Sequence, residues 1–400
     1  MKNQRFKLFL ALFLDNSTTI KFAIGVIVGM AFSIAVILST IGLMDGFQRA
    51  LKIGLKKSAG EIVMSSEGGN FFKLNNSISN KFKSQKIQEY SALVQTESFL
   101  IFDEESRGVL VRGVDNSYGN IVKLPINLLD NEVAIGSEIA KINKIKVGDE
   151  IVLAFAKGNI SLKSMPSLER FKVSQIVNHG VYQKDSRMVY LKLSTLQRIL
   201  ELGNFINMIS LNLPINPIDK DDIEKIEKNV PILRKLFASE FYFKPYWREF
   251  APLLEAVKVE KFMIGLILQM VVIISIFNIL AFIIFINEKK SKELFLFKAL
   301  GLSKKAMSDL WMKLVFSIWI FSCLLSILLV QIFKMSLLKL SVFELPSEIY
   351  FMPRIELFLS WTDYLFVFFL TLAWIMIITF YLLRRLKQKS LLAGLRQEFA

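Results

Sequence analysis

Residues Phe262–Asn287 read FMIGLILQMVVIISIFNILAFIIFIN, and Glu288–Lys305 continue EKKSKELFLFKALGLSKK. The first segment holds 26 consecutive uncharged residues, more than the roughly 20 that a helix needs to cross a bilayer, and tilt absorbs the excess. It is a membrane span. Directly behind it stand Lys289, Lys290, Lys292, Lys298, Lys304 and Lys305, and a further apolar run begins at Leu314. A short charged helix held between two spans suits the passing of force between the membrane and something docked on its basic side.

Three other runs qualify as spans: Phe22–Met44, Leu314–Phe333 and Tyr364–Leu383, with 23, 20 and 20 uncharged residues. The first is longer than the apolar core of a cleaved signal peptide, the rival reading, and Gly25, Gly29 and Ala31 read as places where another helix packs closely. The chain then divides as follows. Residues 1–21 form an interfacial helix built on FKLFLALFL, and 22–44 form the first span. Residues 45–261 form one extramembrane domain, 262–287 the second span and 288–313 the basic turn. Residues 314–333 are the third span, 334–363 a short loop, 364–383 the fourth span and 384–400 a basic tail. The lysines of the 288–313 turn put that side in the cytoplasm, so both termini face inward and the large domain faces outward. Arg49, Lys52, Lys56 and Lys57, just behind the first span, run against this bias, which long translocated domains tolerate.

Patterning inside 45–261 is mixed. Phe47–Lys57 reads as a helix stopped at Ala59-Gly60 and followed by a strand. FLIFDEESRGVLVRGVD reads as two strands across a turn at Glu104–Arg107, and DEIVLAFAKG, RFKVSQIVNHGVY and RMVYLKLS read as further strands. Helical pieces are expected at Lys83–Tyr90, Glu138–Asn143, Ser194–Leu202 and Asp219–Asn229. The fold class is therefore a membrane protein with four transmembrane helices and a large α+β domain between the first and second. Within that domain Lys157–Glu169 (KGNISLKSMPSLE) is polar between two strands, with Ser164, Met165, Pro166 and Ser167 near its tip. It is either an ordinary loop or a projecting hairpin that holds a partner.

Composition agrees with a mixed chain, 53% hydrophobic yet 21% charged. The net charge of +15 brings nucleic acid to mind, but the basic residues cluster beside spans, where they set topology and meet anionic lipid. Nucleic acid is not an expected partner; membrane lipid is. The one cysteine, Cys323, lies in an apolar run, and with one histidine, His179, the chain offers no transition-metal ligand set.

No G-x-x-x-x-G-K-[ST] loop, H-E-x-x-H, G-x-S-x-G or paired-Cys pattern occurs, so no catalytic residue, cofactor site or metal site is assigned and the chain is not expected to be an enzyme. Asp103, Glu104 and Glu105 read as a solvated turn, and His179 as structural or surface. The span interiors carry no Asp, Glu, Lys or Arg, which disfavours proton-driven transport. What remains is mechanical. On a helix, Phe295, Ala299 and Leu302 share a side widened by Leu294, Leu296, Phe297 and Leu300. This face either rests on lipid or inserts into a groove of a cytoplasmic motor.

Several stretches carry a resemblance. MDGFQ (Met44–Gln48) resembles an M-N-G-F segment at the end of a first span, with Asp45 in place of Asn. GVLVRGVD (Gly108–Asp115) and EVAIGSEIAKINKIKVGDE (Glu132–Glu150) resemble an outer-domain pattern, EKKSKELFLFKALG (Glu288–Gly301) a coupling helix, LPSEIYF (Leu345–Phe351) a segment before the last span, and LRQE (Leu395–Glu398) a tail motif. Together they resemble the MacB/FtsX-like ABC permease superfamily, and more closely its lipoprotein-releasing LolC/LolE branch.

That resemblance implies a permease that pairs with itself or a related permease and with a LolD-type ATPase dimer, which uses ATP and Mg. The ATPase would dock on Glu288, Glu293, Leu294, Phe295, Phe297, Ala299, Leu300 and Gly301. A lipoprotein would leave the outer leaflet of the bacterial inner membrane past Val28, Phe32, Met44, Phe47, Met263, Met270 and Ile273. It would pass to a LolA-type periplasmic carrier, for which Ser164–Ser167 is the candidate contact. The alternatives are a permease of the same superfamily for another amphipathic substrate, mechanotransmission to a wall hydrolase, and a membrane-anchored scaffold.

Overall fold

The computed structural model describes residues 17–103, 105–156, 166–214, 222–237, 240–290, 302–339 and 357–386. They fall into two compact units, one formed from the described residues of 17–47, 256–339 and 357–386, the other from those of 48–255. In chain order the described elements open with α1 (Ser17–Ala59), β1 (Ile62–Ser66), β2 (Phe72–Lys73), α2 (Asn76–Ser84), β3 (Tyr90–Phe102), β4 (Glu105–Val114) and α3 (Tyr118–Val122). Next come β5 (Glu132–Gly136), α4 (Ser137–Ile142), β6 (Glu150–Phe155), β7 (Ser167–Val177), α5 (Tyr182–Asp185), β8 (Met188–Lys192) and α6 (Leu193–Ile199). The remainder are β9 (Phe205–Ile206), β10 (Met208–Leu211), α7 (Asp222–Leu236), β11 (Phe241–Pro245), α8 (Ala251–Lys289), α9 (Lys304–Lys339) and α10 (Trp361–Leu386).

Four helices in the described residues, α1, α8, α9 and α10, are long and apolar enough to cross a membrane. α1 and α8 pack antiparallel. Phe22 stacks on Phe285 with ring centroids 4.7 Å apart, Gly29 lies against the Asn278 amide, and Asp45 pairs with Lys261, so numbers rise along one helix as they fall along the other. Ala31 is fully buried, whereas Gly25 has open space beside it, so two of the three small residues singled out in the sequence are contact points. α9 joins through the Ser322 hydroxyl, which donates to the Ile27 carbonyl at 3.2 Å, and α10 through Trp319 Nε1, which donates to Thr371 at 3.3 Å. Hydroxyl and indole groups inside an apolar bundle need such partners.

α1 runs 43 residues without a break, joining the 22–44 span to the helix read from Phe47 to Lys57 as the first-span extension that the family resemblance implies. Nothing at Asp45-Gly46 is strong enough to stop it: an isolated glycine costs only about 1 kcal/mol relative to alanine.

The second unit is α+β. Its nine-stranded sheet runs β11-β1-β10-β3-β4-β8-β5-β7-β6. The 13-residue β3 serves twice. Its first half pairs with β10, and its second half, through Phe99, Leu100 and Ile101, pairs with β6. That second pairing closes β3, β4, β8, β5, β7 and β6 into a ring, leaving β10, β1 and β11 as an attached sheet. β4–β8 and β5–β7 are parallel and the other pairs antiparallel. Leu93, Val114, Tyr118, Ala134, Val177 and Tyr190 pack in one core cluster of this unit. A helix expected at Lys83–Tyr90 lies instead at Asn76–Ser84, because the Asn75 side chain accepts from the Ile78 amide at 2.9 Å and caps its start; Tyr90 opens β3. The Glu104–Arg107 turn is tighter than expected: Asp103, at φ 49°, turns the chain and Glu105 begins β4.

Candidate functional site

The far end of α1 is built into the second unit. Leu51 and Leu55 are fully buried. Between them Gly54 lets the helix backbone approach residues 179–181: a Cβ there would stand 2.4 Å from Val181 Cγ2 and 2.9 Å from the His179 carbonyl. The last helical turn exposes carbonyls with no partner in the helix. Ser58 O receives two donors, the Tyr118 hydroxyl at 3.0 Å and the Arg112 guanidinium. Arg112 also donates to Tyr118 Oη at 2.7 Å and to Gln95 Oε1 at 2.5 and 3.2 Å. Burial works against a charge on Arg112, but Tyr118, Tyr190 and Glu249 outweigh it and hold its pKa above the ordinary value. A cation at a helix C-terminus also suits the helix dipole. Gly60, at φ 73°, then turns the chain into β1.

Segment 179–185 reaches the start of the next long helix as well. Asp185 accepts from the backbone amides of His179 at 2.8 Å and Gly180 at 3.0 Å. The His179 ring bridges Asp185, 2.7 Å from Nδ1, and Tyr190 Oη, 2.7 Å from Nε2. The single histidine is thus a buried bracing residue, the structural member of the pair of roles its sequence context allowed. Lys184 Nζ lies 2.9 Å from Glu249 Oε2, two residues before α8 begins. Burial lowers the Lys184 pKa, with Glu249 opposing it. One segment therefore touches α1 at Gly54 and holds the entry to α8 through Lys184. Lys56, paired with Glu61 at 3.1 Å and 5.4 Å from the Tyr246 ring centroid, adds a second link. The basic cluster behind the first span is in part this joint.

In the membrane unit, the residues expected to line a substrate path separate into two groups. Val28 and Phe32 on α1 are 47% and 62% exposed, and Met263, Met270 and Ile273 on α8 are 54%, 64% and 45% exposed. These five face outward. Ile24, Val28 and Phe32 recur every four residues, and Met263, Ile267, Met270, Ile274 and Phe277 recur at alternating spacings of four and three. Each set is one helix face. Met44 instead borders a cavity among α1, α8 and α10, and Phe47 is half-buried. Lys258, Lys261 and Gly265, absent from the sequence reading, border the same cavity.

Most of the expected docking face lies outside the described residues, namely Glu293, Leu294, Phe295, Phe297, Ala299, Leu300 and Gly301; Glu288 sits in the last turn of α8. Of the candidate carrier contact, Ser164 and Met165 also lie outside, while Pro166 precedes β7 and Ser167 opens it, its hydroxyl donating to Glu169 at 2.8 Å. Among the described residues, no group of three or more His, Cys, Asp or Glu side chains is placed to hold a metal ion.

Two family profiles match. One, described as MacB-like periplasmic core domain, covers residues 23–231, and the other, described as FtsX-like permease C-terminal, covers 265–391. The lipoprotein-releasing system transmembrane protein LolC of Xylella fastidiosa is 19% identical over 375 residues, 89% of each chain. The LolC of Neisseria meningitidis is 21% identical over 305 residues, 72% of this chain and 70% of its own. Among solved structures, the periplasmic region of MacB from Actinobacillus actinomycetemcomitans aligns at 16% identity over 48% of this chain and 92% of its own, with a TM-score of 0.31.

Proposed function

Because this chain belongs to the MacB/FtsX-like permease superfamily, as a multi-pass inner-membrane protein with a large periplasmic domain, we propose that it is the permease subunit of a lipoprotein-releasing ABC transporter. It takes lipoproteins from the outer leaflet of the inner membrane and passes them to a periplasmic carrier of LolA type. A separate LolD-type ATPase dimer, using ATP and magnesium, docks on Glu288–Gly301, and a second permease chain, identical or related, completes the path.

The observation that carries this reading is the pair of exposed apolar faces, Ile24/Val28/Phe32 on α1 and Met263/Ile267/Met270/Ile274/Phe277 on α8. Both helices continue past the membrane unit: α1 to Ala59, and α8 back to Ala251. Spacings of three and four make a seam that packs against a second helix or an acyl chain. Relatives that carry LolC names over most of their length support the lipoprotein as substrate.

The test is reconstitution. The chain is purified with the subunits that accompany it, placed in proteoliposomes with a labelled triacylated lipoprotein, and supplied with ATP and a soluble carrier. ATP-dependent appearance of lipoprotein on the carrier is the expected result. Transfer of another amphiphile with the lipoprotein left in the bilayer would assign the chain to a different branch of the superfamily.

A further inference from the structure

Among α1, α8 and α10 lies a cavity of about 440 Å³, inside the 300–1,000 Å³ range typical of small-molecule sites. Its α8 border runs from Lys258 to Val272, a length of about 21 Å at the helical rise. The walls include Ile41, Met44, Leu268, Phe366 and Leu370. The charges gather at one end. Lys258 and Lys261 stand one turn apart near the start of α8, and Asp45, next to Met44, engages Lys261 alone. Lys258 is exposed and forms no ion pair among the described residues, although Glu255 and Glu260 share its helix. An apolar space of this size inside a bilayer takes up hydrocarbon, since an empty one forfeits the dispersion contacts of every wall atom.

Gly265 gives the cavity its shape. A Cβ built there meets nothing within 4 Å, so close packing does not require glycine at this helix-interior position, where glycine is unfavourable. What its absent side chain leaves is room in the cavity wall.

We propose that this cavity is a site for a resident anionic glycerophospholipid, with one acyl chain along Gly265 and Leu268 and its phosphate on Lys258 and Lys261. A long apolar slot ending in a lysine pair matches an amphiphile with an anionic head; a neutral diacylglycerol-type anchor offers the two ammonium groups nothing. Val28, Phe32, Met263, Met270 and Ile273 do not line this cavity, and the proposal does not depend on the identity of the transported substrate.

The test places the full chain, with the subunits that accompany it, in nanodiscs holding a phosphatidylglycerol probe with a photoreactive acyl chain. Parallel samples hold the neutral diacylglycerol with the same chain. Adducts are mapped by mass spectrometry. Phosphatidylglycerol should label the peptides around Leu268 and Phe366 about fivefold over diacylglycerol, the preference that one lysine beside a lipid phosphate supplies. K258Q should erase that preference. G265F should reduce labelling by both probes while leaving the elution volume unchanged, because its Cβ enters open space and its ring takes up room along the cavity wall. Equal labelling by the two probes in the wild type would mean ordinary bilayer contact and overturn the proposal. So would labelling indifferent to G265F, or displacement of the phospholipid by added lipoprotein, which would assign the cavity to the substrate.

Discussion

Arg112 caps a helix that ends more than fifty residues before it in the chain: its guanidinium donates to the carbonyl of Ser58, in the last turn of α1. Tyr118 shares that carbonyl and accepts from the same guanidinium. The end of the first membrane-spanning helix is thereby fixed to strand β4 and helix α3 by donors buried out of reach of water.

Removing the guanidinium leaves the Ser58 carbonyl and Gln95 short of donors in a buried site. R112M should therefore destabilise the protein by about 2–3 kcal/mol, the cost of stranding buried polar groups that faced a cation. Y118F loses one neutral bond and should cost about 1 kcal/mol. Denaturation of the full chain in detergent, followed by tryptophan fluorescence, measures both. An R112M protein as stable as the wild type would remove the capping role.

Gly54 is required for contact rather than for conformation. G54A should cost about 1–3 kcal/mol, as overpacking does, because its Cβ meets Val181 Cγ2 and the His179 carbonyl. V181A removes the first of these obstacles. In a double-mutant cycle V181A should therefore recover part of the G54A loss, and strict additivity would show that α1 does not bear on this segment.

The Lys184–Glu249 pair makes a pH prediction. Burial raises the Glu249 pKa, but Lys184, Lys244 and Arg112 outweigh it and hold the carboxyl below its ordinary value of 4.5. A carboxylate depressed by folding stabilises above its unfolded pKa and loses that contribution as pH falls through the folded value. The wild-type melting temperature should accordingly fall more steeply than that of E249Q below about pH 4.5. The effect should be small, since Glu249 is half-exposed and solvent screens the pair. Parallel pH profiles of the two variants would contradict it.

The sequence announces some of this arrangement and hides the rest. Uncharged runs of 20 residues or more identify membrane helices because few other structures accommodate them. Alternation in GVLVRGVD and RMVYLKLS marks β4 and β8, and Gly60 marks the end of α1. Ring closure was not legible: the pairing of Phe99–Ile101 with β6 joins residues some fifty positions apart, and neither strand advertises its second neighbour. Arg112 was equally silent, because an arginine within an alternating strand reads as a solvent-facing residue unless the helix end that meets it is known. In the membrane unit, Met263 and Met270 were identifiable as apolar, yet only packing shows that they lie outside the cavity while Leu268 and Val272 border it. Nothing in the sequence sets Lys258 and Lys261 apart from other charges that flank a span, and a glycine at 265 in an apolar run carries no sign of open space beside it.

The cytoplasmic turn carries the energetic side of the proposal. If Glu288–Gly301 receives the ATPase, E293K and A299P should leave the chain folded and inserted while ATP hydrolysis no longer drives release. A charge reversal opposes docking, and proline opposes the helix that the proposal assigns to this turn. Assays of ATP hydrolysis and lipoprotein release on the same proteoliposomes read the two activities separately. Normal release by both variants would move the docking site elsewhere.

The most direct test of the central claim is site-specific photocrosslinking in cells from Phe32 on α1 and Met270 on α8, using a lipoprotein with a labelled acyl chain. A lipoprotein-releasing permease should give an adduct between the lipoprotein and each position, which accumulates when ATP hydrolysis is blocked and disappears when the carrier and ATP are present. Adducts to bulk lipid alone at both positions, unchanged by nucleotide, would contradict the account.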